Sequence, residues 1–151
     1  MHKPMLKMSQ TEDYVALNTL YLENDLEIDP DHMEKTEANV KSWKVTHGAE
    51  NYLAAGITLS TRDGEYIIEG IAVQPLYRKM GLASVLLSKA IEEAKSLGAT
   101  KLYLVARAPG FFRKNGFVTI ERDEAPGFVE CFTCPQYGEK CHPEVMRLDL
   151  V

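Results

Sequence analysis

Apolar positions change their period several times along this chain. Met5 to Met8 predicts a short first strand. Ala16, Leu17, Leu20 and Tyr21 then recur at helical spacing, which predicts a helix from about Glu12 to Glu23, with Ser9, Thr11 and Asp13 as candidate caps for its orphan amides. Asn24 to His32 carries Asp25, Glu27, Asp29 and Asp31 around Pro30 and reads as an acidic loop. Weaker periodicity predicts a second helix over Met33 to Lys44. Tyr52 to Thr61 and Tyr66 to Val73 are apolar, β-branched runs separated by Arg62-Asp63-Gly64-Glu65, a hairpin signal because Asp-Gly suits the positive φ of a tight turn.

The longest helical pattern follows. Leu82, Val85, Leu86, Ala90, Ile91, Ala94 and Leu97 form an apolar stripe between Gly81 and Leu97. Lys89 and Glu93 stand four apart on its polar side, and Gly98 supplies a left-handed stop. Lys101 to Arg107 reads as a buried strand, and Pro109 opens a short helix closing near Asn115-Gly116. Phe117 to Glu121 and Met146 to Val151 read as strands. The expected order is β-α-(α)-β-β-α-β-α-β-β, a mixed α/β sheet with one central strand–loop–helix unit.

Composition narrows the field. At 151 residues, the expectation is one domain over 1–151, with a cysteine-containing insertion at about 122–144. Lysine and arginine total 17 against 22 aspartates and glutamates, a formal charge of −5. That balance argues against bulk attraction to nucleic acid. Met1 to Gln10 lacks the apolar core of a secretion signal, and no apolar stretch is long enough for a bilayer, so the expectation is a cytoplasmic protein without membrane partners. Three cysteines do not make a secreted disulfide framework.

Candidate chemistry concentrates where a strand ends at Val73, a loop carries Arg78, Lys79 and Gly81, and a helix begins. Such a junction aims unpaired amides at one point, where the helix dipole favours negative charge. Gly81 lets backbone approach a diphosphate, and Arg78 and Lys79 add charge. The alternative is a helix end solvated by water, with Gly81 serving the turn alone.

The wider pattern Val73-x-Pro75-x-x-Arg78-x-x-Gly81-x-Ala83 resembles the acyl-CoA motif of the GNAT superfamily of N-acyltransferases, V-x-P-x-x-[RQ]-x-x-G-x-[GA]. Phe111 to Phe117 resembles its second signature, a short helix closing on Gly-Phe. The resemblance spans about Met5 to Glu121 and returns at Met146 to Val151. It implies a mixed, mostly antiparallel twisted sheet of roughly six to seven strands, flanked by helices and splayed at the central strands. It also implies acetyl-CoA as cosubstrate and transfer to an amine by direct attack through a tetrahedral intermediate. Arg78, Lys79, Met80, Gly81, Leu82, Ala83 and Ser84 would hold the pyrophosphate, Ile71, Ala72 and Val73 the pantetheine arm, and the amide at Val73 the oxyanion.

The resemblance leaves the proton transfers open. Many members place a tyrosine where this chain has Phe112, which can pack against pantetheine but cannot donate a proton. Tyr103, Tyr77, water or the thiolate's own low basicity are the substitutes. Glu69, two residues before Ile71 and expected on the same strand face, is the candidate base, the alternative being an exposed strand carboxylate. His47 is open in the same way, between a base and a solvated loop histidine. The Phe-Phe helix and acidic entry loop resemble the single-domain N-acetylglutamate synthase-like branch, which would make the acceptor an amino acid and Arg107 a clamp for its carboxylate, unless Arg107 serves a salt bridge.

Cys131-x-x-Cys134 with Cys141-His142 has the ligand types of a tetrahedral structural zinc site, with reduced free thiols and a redox-labile Cys131–Cys134 pair as alternatives. The expected partner is a small-molecule amine, and the expected assembly a monomer or homodimer. Competing with the enzyme are a CoA-binding sensor, which Phe112 keeps open, and a metal-knuckle interaction domain on Cys131 to His142.

Overall fold

The computed structural model describes residues 6–24, 26, 28, 31, 33–121, 124 and 144–150. Its elements run β1 (Leu6–Thr11), α1 (Tyr14–Glu23), β2 (Asn39–His47), β3 (Tyr52–Arg62), β4 (Glu65–Val73), a 3-10 turn (Pro75–Tyr77), α2 (Leu82–Ser96), β5 (Lys101–Ala106), α3 (Pro109–Lys114), β6 (Val118–Thr119) and β7 (Glu144–Asp149). The strands form one sheet in the order β1-β2-β3-β4-β5-β7-β6. Every neighbouring pair is antiparallel except β4 with β5. A parallel pair needs a crossover, and α2 is that crossover. This is the mixed, mostly antiparallel sheet expected above.

Two apolar clusters cover the two faces. On one, α2 sets Leu86, Leu87, Ala90 and Ala94 against Trp43, Val45, Ile57, Leu59 and Ile68, joined by Phe112 and Phe117. Burying each large side chain of this set contributes ~1.5–3 kcal/mol before chain entropy is counted. On the other face, α1 lays Tyr14, Leu17, Leu20 and Tyr21 over the sheet with Ala72. Its approach is close because β3 and β4 present glycines there. A Cβ on Gly56 would overlap Leu17, and one on Gly70 would stand 2.7 Å from the Tyr21 ring. Asp13 caps α1, accepting from the Ala16 amide at 3.1 Å.

Several expectations need correction. Met33 to Lys44 is not a helix: Asn39–His47 is strand β2. Trp43 and Val45 of β2 enter the α2 cluster, whereas Ser42 and Thr46 are buried polar residues. The stripe on α2 is rotated from the expected one, since Val85 and Leu97 are exposed and Leu87 is buried. Glu93 pairs with Lys41 across to β2 at 3.2 Å, not with the expected Lys89. β1 runs on to Thr11, and the strand expected from Phe117 is only Val118–Thr119. The Asp63-Gly64 turn forms as expected, with φ of +52° and +80°.

Candidate active site

The defining feature is where β4 and β5 stop pairing. Only Tyr66↔Leu102 and Ile67↔Tyr103 are in register, so Ile68 to Val73 leaves β5 and the sheet splays. On its other edge β4 stays paired with β3 to its end. The Gln74 amide donates to the Ala54 carbonyl at 2.8 Å, which makes Val73↔Ala55 a non-hydrogen-bonded pair. The Val73 N–H and C=O therefore face away from β3, into the splay. Ile71↔Ile57, two residues back in the same register, shares that orientation.

The loop beyond β4 has an open, partly left-handed backbone. Lys79 and Gly81 both take left-handed φ, +69° and +78°. Gly81 is the N-cap of α2 and offers no side-chain cap, and the first bond of the helix runs from the Val85 amide to the Gly81 carbonyl. The amides of Leu82, Ala83 and Ser84 consequently have no intrahelical acceptor. A Cβ on Gly81 would meet no protein atom within 4 Å. Residues 78–81 are exposed, and Leu82 and Ala83 are half-buried. Arg78 turns away from these amides, its guanidinium donating to Asn24 Oδ1 (2.8 Å) and to the Val73 carbonyl (3.2 Å).

Glu69 is not on the face of Ile71. The β3–β4 register slips between Thr58↔Gly70 and Leu59↔Ile68, so Glu69 is the extra residue of a β-bulge. The bulge puts Glu69 beside Gly70 on the α1 face, while Ile71 packs toward α2. There Glu69 Oε2 accepts from Asn39 Nδ2 (2.8 Å) and Ser60 Oγ (2.9 Å), and Oε1 lies 3.8 Å from Arg62. The carboxylate keeps 30% of its side chain exposed, so solvent reaches it. Further along the same face, the Tyr21 hydroxyl meets Thr58 Oγ1 at 2.7 Å, and Ser42 Oγ donates to Thr58 Oγ1 at 3.1 Å. Burial holds the Tyr21 phenol well above its usual range, and it stays neutral.

The acid candidates are placed less favourably. Phe112 is 9% exposed and stands edge-on between Phe111 and Phe117. The Tyr77 hydroxyl lies 2.6 Å from His47 Nδ1 on β2, two strands and roughly 10 Å from the splay. His47 thus ends a strand and holds a partner, rather than lying solvated in a loop. Tyr103 lies in the paired stretch of β4 and β5, and its phenol is raised, first by burial and then by Glu65. Arg107 follows β5 on the exposed surface. Cys131, Cys134, Cys141 and His142 lie outside the described residues. Among the described residues, no group of three histidines, cysteines or acids could hold a metal, and no helix is long and apolar enough to cross a membrane.

The sequence reading missed Asn39, Ser60, Ser42, Thr58 and Asn24. A signal was present for two of them, because Gly56, Thr58 and Ser60 alternate with Ala55, Ile57 and Leu59 along β3.

The site thus combines a splayed β4–β5 pair with an open helix N-terminus. The family model described as acetyltransferase (GNAT) family matches residues 9–117, and the chain belongs to that family. Solved structures agree on the fold. N-acetylglutamate synthase from Neisseria gonorrhoeae, in complex with coenzyme A and N-acetyl-glutamate, superposes with a TM-score of 0.71 at 18% identity over 99% of this chain. This chain spans only 36% of that synthase. A GNAT-family acetyltransferase from Staphylococcus aureus Mu50 gives 0.71 at 17% identity, covering 97% of this chain and 100% of its own. The ribosomal-protein-S18-alanine N-acetyltransferase of Escherichia coli gives 0.71 at 20% identity, covering 97% and 94%.

Proposed function

We propose that this chain transfers an acetyl group from acetyl-CoA to the primary amine of a small molecule or amino acid. The observation that carries this is the Val73 amide facing the splay, on the strand that leads into the Gly81–Ser84 amide loop. Both groups address the two anionic parts of an acyl-CoA: its pyrophosphate and the oxygen that gains charge when the thioester is attacked. Two of the solved structures of this fold contain coenzyme A and one contains acetyl coenzyme A, which supports the same cosubstrate.

The residues divide the work as follows. The amides of Gly81 to Ser84 hold the diphosphate, and the cleft edge of Ile71 to Val73 aligns the pantetheine arm. Acetyl-CoA supplies the activated acyl carbon. The amine nitrogen forms the new C–N bond, the Val73 amide donates to the oxyanion, and the C–S bond breaks. Glu69, fixed by Asn39 and Ser60, takes the proton lost by the amine through a water molecule. The thiolate leaves as an anion and takes its proton from solvent, so no hydroxyl is needed at Phe112. Positive charge at Arg78 and Lys79 offsets the chain's overall acidity at the loop. A CoA-binding sensor of low activity is the second reading, favoured by the core position of the Phe112 ring.

Thiol release from acetyl-CoA, followed with a panel of amino acids, polyamines and short peptides, tests the two readings. Saturable acceleration by one amine class is expected. Tight acetyl-CoA binding with no acceleration by any amine overturns the enzyme and leaves the sensor.

A further inference from the structure

Arg78 occupies the position that the family motif allows to be either arginine or glutamine. Its guanidinium is already committed, with Nη2 on Asn24 Oδ1 (2.8 Å) and Nε on the Val73 carbonyl (3.2 Å). Asn24 closes α1 by donating to the Leu20 carbonyl (2.9 Å), and also approaches Gln74 Oε1 (3.4 Å). Gln74 Nε2 donates to Glu23 Oε1 (3.3 Å), while its backbone amide is fixed on Ala54 (2.8 Å). These bonds tie the last turn of α1 to the last peptide of β4 and to the start of the cofactor loop.

We propose that Arg78 is a positioning residue, a strut between α1 and the exit of β4, and not a ligand of the pyrophosphate. It rests on the reading of Gly81 to Ser84 as the cofactor's seat. A neutral amide cannot replace a cation on a diphosphate, but it can replace a hydrogen-bond donor to a carbonyl, which accounts for glutamine at this motif position. By holding the Val73 carbonyl, the strut fixes the Val73–Gln74 peptide, the one that directly follows the amide facing the splay. By holding Asn24, it anchors the end of α1, the helix that covers the Glu69 face, to the same loop. The cofactor seat and the acceptor-side wall then move as one body.

The test is the acetyl-CoA dissociation constant of the full chain, by calorimetry, for Arg78→Ala, Asn24→Ala, their double variant and Arg78→Gln. Each alanine variant is expected to lose about three- to tenfold. The double variant should lose less than the product of the two single losses, because both remove the Arg78–Asn24 bond they share, and Arg78→Gln should keep most of the affinity. Wild-type affinity in Asn24→Ala, or losses that simply multiply in the double variant, would overturn the strut. Should the unaltered chain bind no acetyl-CoA, the cosubstrate fails, but the urea midpoints of the same proteins still decide the strut. Non-additive shifts support it and additive shifts overturn it.

Discussion

Gly81 and Gly98 flank the same helix with nearly the same backbone, φ +78° and +88°, and a Cβ at either meets no protein atom within 4 Å. Gly98 closes α2 through the bonds of its own amide to the Lys95 carbonyl and of Ala99 to Ala94, both 3.0 Å. Alanine in the left-handed region costs about 1–2 kcal/mol at each site. For a chain of this size that lowers the melting temperature by roughly 2–8 °C in both variants. Their ligand behaviour should diverge. At Gly81 the methyl group and any relaxation of φ displace amides that hold a charged oxygen, and one such bond is worth about 1.5–3 kcal/mol. Gly81→Ala is therefore expected to weaken acetyl-CoA binding by roughly 10- to 150-fold, while Gly98→Ala binds as the unaltered chain. Calorimetric titration of both, beside their melting curves, reads the two effects separately. Equal affinity losses in the two variants, or unchanged affinity in Gly81→Ala, would refute the assignment of the loop.

Other outcomes follow from the same geometry. Glu69→Gln keeps donors to Oε2 in place but cannot accept a proton, so the kcat/KM for the amine should fall by about 10²- to 10⁴-fold, with acetyl-CoA affinity unchanged. An amine kcat/KM within a few-fold of the original would remove Glu69 from the chemistry. At the far edge of the sheet, Glu144 accepts from Thr119 (2.8 Å) and Arg113 (2.5 Å). The Thr119 hydroxyl first, then Arg113, holds its carboxyl below the ordinary 4.5. A carboxyl lowered in the folded state contributes stability that is present above pH 4.5 and lost as pH falls through its folded value. Urea midpoints measured from pH 7 down to pH 3 should therefore fall less steeply in Glu144→Gln, and parallel profiles would contradict this.

The sequence shows the frame of this molecule and hides the registration of its parts. The Asp63-Gly64 hairpin, α2 and the Gly81 loop are local signals, each fixed by φ or by helical period, and each forms. β2 reads as a helix because its two faces are buried differently. Trp43 and Val45 enter an apolar core while Ser42 and Thr46 enter a polar one, and that mixture has no strand signature. Simple alternation puts Glu69 on the face of Ile71, but a single inserted residue in β4 reverses it, and strand composition carries no trace of that. Its partners Asn39 and Ser60 come from β2 and β3, 30 and 9 residues away, which only the pairing register brings together. Arg78 was legible as a motif position, whereas its direction depends on Asn24, 54 residues earlier.

The central claim is acetyl transfer from acetyl-CoA to an amine at the β4–β5 splay. Its most direct measurement is the ratio of N-acetylated amine to free CoA thiol, by mass spectrometry and thiol titration, in one reaction with the best acceptor. One acetylated amine per thiol, formed only when acceptor is present and suppressed in Gly81→Ala, is the predicted result. Thiol release without acetylated amine, or release equally fast with acceptor omitted, would contradict it.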